Sequence, residues 1–432
     1  MRQMKNSGIE WIGEIPEDWE QTRLKSLFID RCGGAWGDEA QNDENDIVCI
    51  RVADFDFEKQ TVKAGDKTLR NYQSKVIDKL MLRESDLLIE KSGGGGKTPV
   101  GRTILATGCQ GFLFANFIDR LRIRSPHNTK FIAYLFRTLY CNGVTFPYVK
   151  QTTGIQNLDT ENLLREVVYV PCIENQQKIV DFLDKKCADI DSLLAHEESV
   201  IEELKAYKQS VITEAVTKGL DRSVHMKDSG VEWIEKIPAA WEVVLLSSVF
   251  HQHKERNSRL QETNLLSLSY GRIIQKDINA REGLLPTSFD TYNVIDNGDI
   301  ILRLTDLQND QRSLRTGLCT QKGIITSAYI TLRKNVDLDS RFMHYLFHSY
   351  DICKVFYGMG DGVRQGMNFE DLKRLLVLFP TKHEQQQIAD YLDKRCAEID
   401  SLISIKQQKI EKLKEYKKSL IYEYVTGKKE VA

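Results

Sequence analysis

An α+β chain made twice is the fold this sequence predicts: two mixed α/β domains separated by two long antiparallel coiled-coil helices, related by a pseudo-two-fold internal duplication. Three observations carry that prediction. LDKKCADIDSLL at 183–194 returns as LDKRCAEIDSLI at 392–403, inside a match of more than forty residues. MKNSGIEWIGEIPEDWE at 4–20 returns as MKDSGVEWIEKIPAAWE at 226–242. Between these shared segments lie two unlike blocks that mix short strand-like runs, turns and amphipathic stretches.

The offsets place the boundaries. The N-terminal segments repeat at 226 − 4 = 222 residues, the helical segments at 380 − 171 = 209, so the first block is 222 − 209 = 13 residues longer. This divides the chain into 1–170, a recognition-type domain; 171–219, a central coiled-coil helix; 220–379, a second domain; and 380–428, a C-terminal coiled-coil helix. In each arm a tryptophan pair, Trp11/Trp19 and Trp233/Trp241, flanks an Ile-Pro turn and reads as a packed cap rather than a base-stacking device.

In the first block Ile47–Val52 has strand character, Asp86–Ile89 begins a second apolar run, Lys91–Pro99 is a loop and Phe131–Tyr140 an amphipathic helix. The second block repeats the order with Asp299–Arg303, a strand-like Ile324–Ile330 and a helix over Phe342–Phe347. Each block ends in a polar Gly-containing turn, 152–157 and 360–365.

The helices follow. Leu183, Ile190, Leu204 and Val211 fall at seven-residue steps, with Leu193, Val200 and Tyr207 in the neighbouring seam. Leu392, Ile399, Leu413 and Leu420 repeat the pattern, with Leu402 and Tyr416 beside them. A seven-residue period is a coiled-coil signal, and about 43 residues at 1.5 Å each make a rod of roughly 65 Å. The equal partner nearest to hand is the helix's own copy, which makes the pairing antiparallel. One seam step is polar, Glu197 in the first helix and Lys406 in the second. Glu197 either pairs with Lys406 or Lys409 across the rod and fixes its register, or the charges are solvated beside a loose layer. Cys187 and Cys396 occupy equivalent places and read as duplicated core packing.

Composition sets outer bounds. With 41% hydrophobic and 28% charged residues the chain is ordinary for a soluble protein with real cores. No apolar run reaches membrane-span length and no signal-peptide core opens the chain, so the expectation is cytoplasmic. Nine scattered cysteines without a CxxC argue against a secreted disulfide framework. A net charge of −2 counts against a simple nucleic-acid binder, although a local basic face can coexist with acidic helices.

Catalytic and metal motifs are not visible. Gly93–Thr98 lacks the glycine six positions before Lys97 that a P-loop needs, and Pro99 follows where a helix should begin. His344 and His348 are four apart, but Tyr345 stands where HExxH has Glu. His251-Gln252-His253 has no ligand partner at useful spacing. No nucleophile elbow, Asn/Asp-Pro-Pro-aromatic motif or FxGxG loop appears. What remains is recognition chemistry. Arg303, Thr305, Asn309, Arg312 and Arg315 fall in one stretch whose side chains match guanine and adenine edges. Ser269 and Tyr270 offer a companion loop. Arg51, Lys91, Lys97, Arg102, Gln151 and Gln156 offer similar chemistry in the first block, and Arg364 lies in the second polar turn.

The two Pro/Gln-Gln-Ile helical segments Pro171–Thr217 and Pro380–Thr426, the turns 153–158 and 362–367, and the strand-to-Gly-loop Asp86–Arg102 together resemble the specificity subunits of type I restriction–modification systems. The stretch Ser267–Arg272 with Asp299–Arg315 is similar to one recurring type of target-recognition domain. The resemblance covers essentially the whole chain; the first helix departs slightly from it, with Asn175 where the second has Glu384 before the Gln pair.

The resemblance implies a non-catalytic reader of double-stranded DNA with two target-recognition domains, each on one half of a split, asymmetric site. It implies helices that set the unread spacer and dock two modification (methyltransferase) subunits, with restriction (translocase/nuclease) subunits completing the assembly. S-adenosylmethionine, ATP and Mg would be bound by those partners, none by this chain, and no membrane is involved. The rival expectations are a duplicated coiled-coil adaptor without a DNA role, and a nuclease or methyltransferase in its own right.

Overall fold

A computed structural model describes residues 2–95, 98–152, 154–279, 286, 288–307, 314–358 and 366–431. The chain forms two compact units, 1–196 with 409–432, and 197–408, so each unit contains part of both long helices. This differs from the boundaries expected at 171 and 380. The reason is packing: each stretch of helix buries its apolar side against the globular elements of one unit, which draws it into that core.

The first unit opens with the hairpin Met4–Asn6/Glu14–Pro16, paired antiparallel from Met4 with Pro16 to Asn6 with Glu14. It closes the core through Trp19, which is buried, while Trp11 is partly buried. A four-stranded antiparallel sheet follows in the order Thr103–Leu105, Asp86–Glu90, Ile118–Ile123, Phe28–Gly33. Successive side chains of a strand point to opposite faces, and here both faces are covered. Leu87 and Ile89 enter a core with Phe131, Phe136 and Leu183, while Leu88, Ile104 and Ile118 enter another with Cys49, Ile50 and Phe114.

The helix Thr129–Cys141 starts at Asn128, whose side chain accepts from the Lys130 and Phe131 amides. It is tied to the first long helix, Ile173–Lys218. Gln176 accepts from the Asn128 amide (2.9 Å) and donates to the Pro171 carbonyl (2.9 Å). The Tyr134 hydroxyl donates to Asp184 (2.8 Å).

The second unit is built from the same parts. The hairpin Met226–Val231/Ile234–Pro238 leads to a fully buried Trp241, and the sheet order is Phe250–Gln252, Ile330–Lys334, Ile300–Leu302, Thr316–Leu318. At its helix Ser340–Ile352, Gln385 accepts from the Asp339 amide (2.9 Å) and donates to Pro380 (2.9 Å), and Tyr345 donates to Asp393 (2.8 Å). The repeated Gln-Gln is thus a clasp between the short and long helices. The two Asp-led strands carry the same pair, a buried carboxylate with a half-buried arginine: Asp86 with Arg122 (2.8 Å) and Asp299 with Arg333 (2.6 Å). The run Ile324–Ile330, expected as one strand, is two: Gly323–Ile325 and Ile330–Lys334. They are divided by a turn in which the Tyr329 amide bonds the Thr326 carbonyl (3.2 Å).

Within each unit the long helices run antiparallel, the second being Lys382–Val425. In the first unit Asp191 meets Lys417 (2.6 Å) and Phe182 meets Tyr424. In the second, Lys208 meets Asp400 (2.7 Å) and Glu197 meets Lys406 (2.9 Å). Lys208 and Lys417 are the same repeat position, as are Asp191 and Asp400, and as are Glu197 and Lys406 themselves. Two copies of one helix meeting at a self-equivalent position is what antiparallel pairing requires at its midpoint. Leu183, Ile190, Val211, Leu392, Ile399 and Leu420 are buried, and Leu204, Lys406 and Leu413 half-buried, as a seam demands.

The second row differs from expectation. Leu193, Tyr207, Leu402 and Tyr416 are 45–55% exposed, and Val200 is only half-buried. The row that turns inward is Cys187, Leu194, Ile201 and Lys208, mirrored by Cys396, Ile403, Ile410 and Lys417. With the first row at 183, 190, 197, 204 and 211, these residues supply the alternating four-and-three spacing of a helix seam. The expected row lies one position further round the helix. All nine cysteines are free thiols, Cys187 and Cys396 buried among them.

Candidate nucleic-acid interface

In the first unit the basic residues around the glycine loop are turned to internal use. Lys91 bonds the buried Asp119 carboxylate (3.0 Å). Arg102 pairs with buried Glu90 (3.0 Å) and lies over the Phe57 ring at 3.6 Å. Burial raises the Glu90 pKa, while Arg102 opposes the rise. Arg51 folds back on Asp54 (3.2 Å), closing a short helical turn, and the hydrogen bond from Arg51 lowers the Asp54 pKa against the effect of burial.

Gln156 is buried and accepts from the Val100 amide (3.2 Å), so it anchors the loop from within. A Cβ at Gly94 (φ +61°) would meet its Oε1 at 2.8 Å, which is why glycine stands there. The sequence reading offered these four residues to DNA because Arg, Lys and Gln are the chemistry of base reading, but the same chemistry satisfies buried carboxylates and amides. Gln151 keeps its exposure on the hairpin Val149–Thr152/Ile155–Leu158. Lys97 lies outside the described residues. A stack that the sequence reading missed sets half-buried Arg70 over the exposed Trp36 ring at 4.4 Å; the two are far apart in sequence, and no local spacing joins them.

The second unit presents a sharper feature. Leu266–Ser269 and Arg272–Gln275 form a hairpin in register from Leu266 with Gln275 to Ser269 with Arg272. The turn residues Tyr270 (φ +46°) and Gly271 (φ +78°) both take positive φ, the geometry of a tight two-residue hairpin turn. A Cβ on Gly271 would stand 2.9 Å from the Leu314 side chain, so the tip is seated against that residue. The consequence is that Tyr270 projects with 83% of its surface exposed, the most of any large apolar residue described. Ser269 is half-buried beneath it. Arg272, at the strand's start, bonds Asp400 (3.2 Å), the carboxylate that also holds Lys208.

Arg315 corrects the sequence reading most clearly. It is fully buried, and its guanidinium donates to the carbonyls of Thr305 (2.9 Å) and Asp306 (3.4 Å), while its amide donates to Asp351 (2.5 Å). The Arg303 amide returns a bond to the Arg315 carbonyl (2.8 Å). Arg315 therefore ties two backbone segments together and has no surface to offer a base. Arg303 is half-buried and Thr305 exposed. Asn309, Arg312 and Arg364 lie outside the described residues.

The histidines considered for metal are structural neighbours. His344 and His348 stand 6.5 Å apart on one helix, and burial pushes both down to about 4. His251 contacts Asn335, and His253 approaches Glu255 at 3.5 Å.

Against known proteins, the family model for the type I restriction modification DNA specificity domain matches twice, over residues 16–203 and 238–415. Two relatives from Methanocaldococcus jannaschii bear the names of type I restriction enzyme specificity subunits. MjaX is 24% identical over 96% of this chain and 95% of its own length, and MjaVIII 23% identical over 96% and 93%. Among solved structures, a chain from a study of complex assembly and conformational transition in a type I R-M system superposes with a TM-score of 0.70 at 13% identity, covering 95% of this chain and 98% of that one. The HsdS subunit from Thermoanaerobacter tengcongensis gives 0.50 at 14%, covering 96% and 98%. At these identities the structural likeness speaks to the fold.

Proposed function

The chain belongs to the type I restriction–modification DNA specificity family, and from that premise we propose that its two unlike heads each read one half of a bipartite, asymmetric DNA site. The observation that carries this is the pairing of a repeated frame with unrepeated tips. The N-terminal hairpins, Gln clasps and Asp–Arg strands recur in both units, whereas the projecting Tyr270 hairpin belongs to the second block, which shares little with the first. Folding needs the frame; the differing parts are free to specify.

Tyr270 supplies an aromatic face on a braced turn, suited to stacking on a base or wedging at a base step, a contact worth about 1–3 kcal/mol. Exposed Thr305 and half-buried Arg303 flank the buried Arg315 tie. In the first unit exposed Gln151 and the Trp36–Arg70 stack offer the corresponding chemistry. The near-neutral charge of −2 fits a reader that shares its grip on phosphate with other subunits.

The chain itself performs no catalysis; two modification subunits dock on the long helices and bring S-adenosylmethionine and adenine-N6 methylation. Restriction subunits bring ATP- and Mg-dependent translocation and cleavage. The complex works in the cytoplasm, and among the described residues no helix is long and apolar enough to cross a membrane.

Selection from a random duplex library by the purified complex tests the proposal. Two specified blocks at a fixed separation are expected; one block, or no enrichment, overturns it.

A further inference from the structure

The duplication lets one unit serve as a template for the other. In the first unit Phe182 and Tyr424 stack with ring centroids 4.4 Å apart, both packed on the core. At the helical offset of 380 − 171 = 209 residues, their counterparts in the second unit are Tyr391 and Ala215. One ring of the pair is kept, and the other is cut back to a methyl group.

The space is not refilled. A cleft of about 290 Å³ lies there, lined by Tyr207, Ser210, Val211, Ala215, Leu220 and Tyr391. The Glu214–Arg222 ion pair (3.2 Å) also belongs to its wall. A cavity of roughly 150 Å³ suffices for a benzene ring, so the cleft has room for a larger aromatic group. Three of its apolar walls are left open, with Tyr391 38%, Leu220 45% and Tyr207 49% exposed.

We infer that this cleft receives one aromatic side chain of the partner protein docked on the helices, in the place that Tyr424 fills in the first unit; the inference rests on the docking reading above. Two features support that occupant. Tyr207 and Tyr416 are the same repeat position and both are exposed, at 49% and 55%, so the surface assigned to two copies of one partner runs directly into the cleft in the second unit. The wall also suits a ring with a polar tip: Tyr391 and Ala215 face its body, while Ser210 and Glu214 can accept from a phenol or indole donor. Buried aromatic anchors of this kind dominate protein interfaces. The two docking surfaces are consequently unequal. On the first unit the chain supplies its own ring, and on the second the partner supplies it.

Full-length protein and its modification subunit test this in two arms. In the first, p-cresol binding is followed by NMR. The wild type takes it up, Ala215→Tyr and Tyr391→Ala do not, and Tyr424→Ala gains a second site; thermal unfolding checks that each variant is folded. In the second, native mass spectrometry and calorimetry follow stepwise binding of two partner copies. The wild type shows a tight and a weak step, and Ala215→Tyr weakens the tight step roughly tenfold or more, making the steps alike. Cresol uptake indifferent to Ala215→Tyr overturns the inference, as does cresol uptake with partner binding unchanged by both cleft variants. A partner that binds neither surface of the wild type defeats the docking reading instead, and is recognised because the cresol arm still reports the cleft.

Discussion

Reversing the charge at Glu197 should strongly destabilise the paired long helices, and reversing Lys406 with it should restore most of the loss. Glu197 is 2% exposed and its carboxylate lies 2.9 Å from the Lys406 ammonium, whose side chain is 30% exposed. At that separation and an effective dielectric of about 20, the gross attraction is on the order of 5–6 kcal/mol, most of it offset by taking the carboxylate out of water.

The asymmetry of burial sets the order of effects. Lys406→Gln takes a cation away from a buried carboxylate and should cost about 3 kcal/mol. Glu197→Gln leaves a lysine that can turn to solvent and should cost about 1–2 kcal/mol. Glu197→Lys, with two cations in one seam layer, should cost roughly 3–5 kcal/mol, and Glu197→Lys with Lys406→Glu should return to within about 1 kcal/mol of the wild type. Because a two-unit protein need not unfold in one step, urea titration is best paired with hydrogen exchange at the amides of 190–204. A double reversal no more stable than either single reversal refutes the pairing, and Glu197→Gln costing more than Lys406→Gln refutes the burial argument.

Arg315→Gln should lose about 3 kcal/mol of second-unit stability by freeing the Thr305 and Asp306 carbonyls, whereas Tyr270→Ala should leave unfolding unchanged and weaken DNA binding roughly tenfold or more; the reverse pattern in melting and binding titrations would exchange their roles. His344 and His348 are pushed from the ordinary 6.5 down to about 4 by burial. The unfolded chain therefore binds protons between those values and the folded chain does not, so stability is fully present above pH 6.5 and falls by up to a few kcal/mol as pH drops toward 4. His348→Phe should flatten that slope in pH-dependent unfolding. Asp400→Asn should release both Lys208 and Arg272, costing about 1 kcal/mol in a salt-sensitive way and loosening the Tyr270 hairpin in hydrogen exchange.

The frame was legible because duplication is a global signal. Two offsets located both long helices to within two or three residues, and the seven-residue period named the seam at Leu183, Ile190, Leu392 and Ile399. The second row was misplaced because Leu193 and Tyr207 are more apolar than Lys208, which nonetheless turns inward to meet Asp400. An ion pair between residues 192 positions apart leaves no local trace. The same blindness explains Arg315 and Gln156: residue type suggests base reading, but only the fold shows Thr305, Asp306 and Val100 waiting as partners. Residue type placed Tyr270 only in a loop companion to the Arg303–Arg315 stretch; its 83% exposure could be learned only from the hairpin's seat on Leu314.

Methylation sequencing of cells expressing this chain with its modification subunit, before and after residues 250–375 are exchanged for the equivalent block of another family member, tests most directly where sequence choice lives. One bipartite methylated motif is expected, with one half replaced after the exchange and the other half and the spacing retained. Loss or change of both halves together, or a motif indifferent to the exchange, would contradict the division between reading blocks and repeated frame.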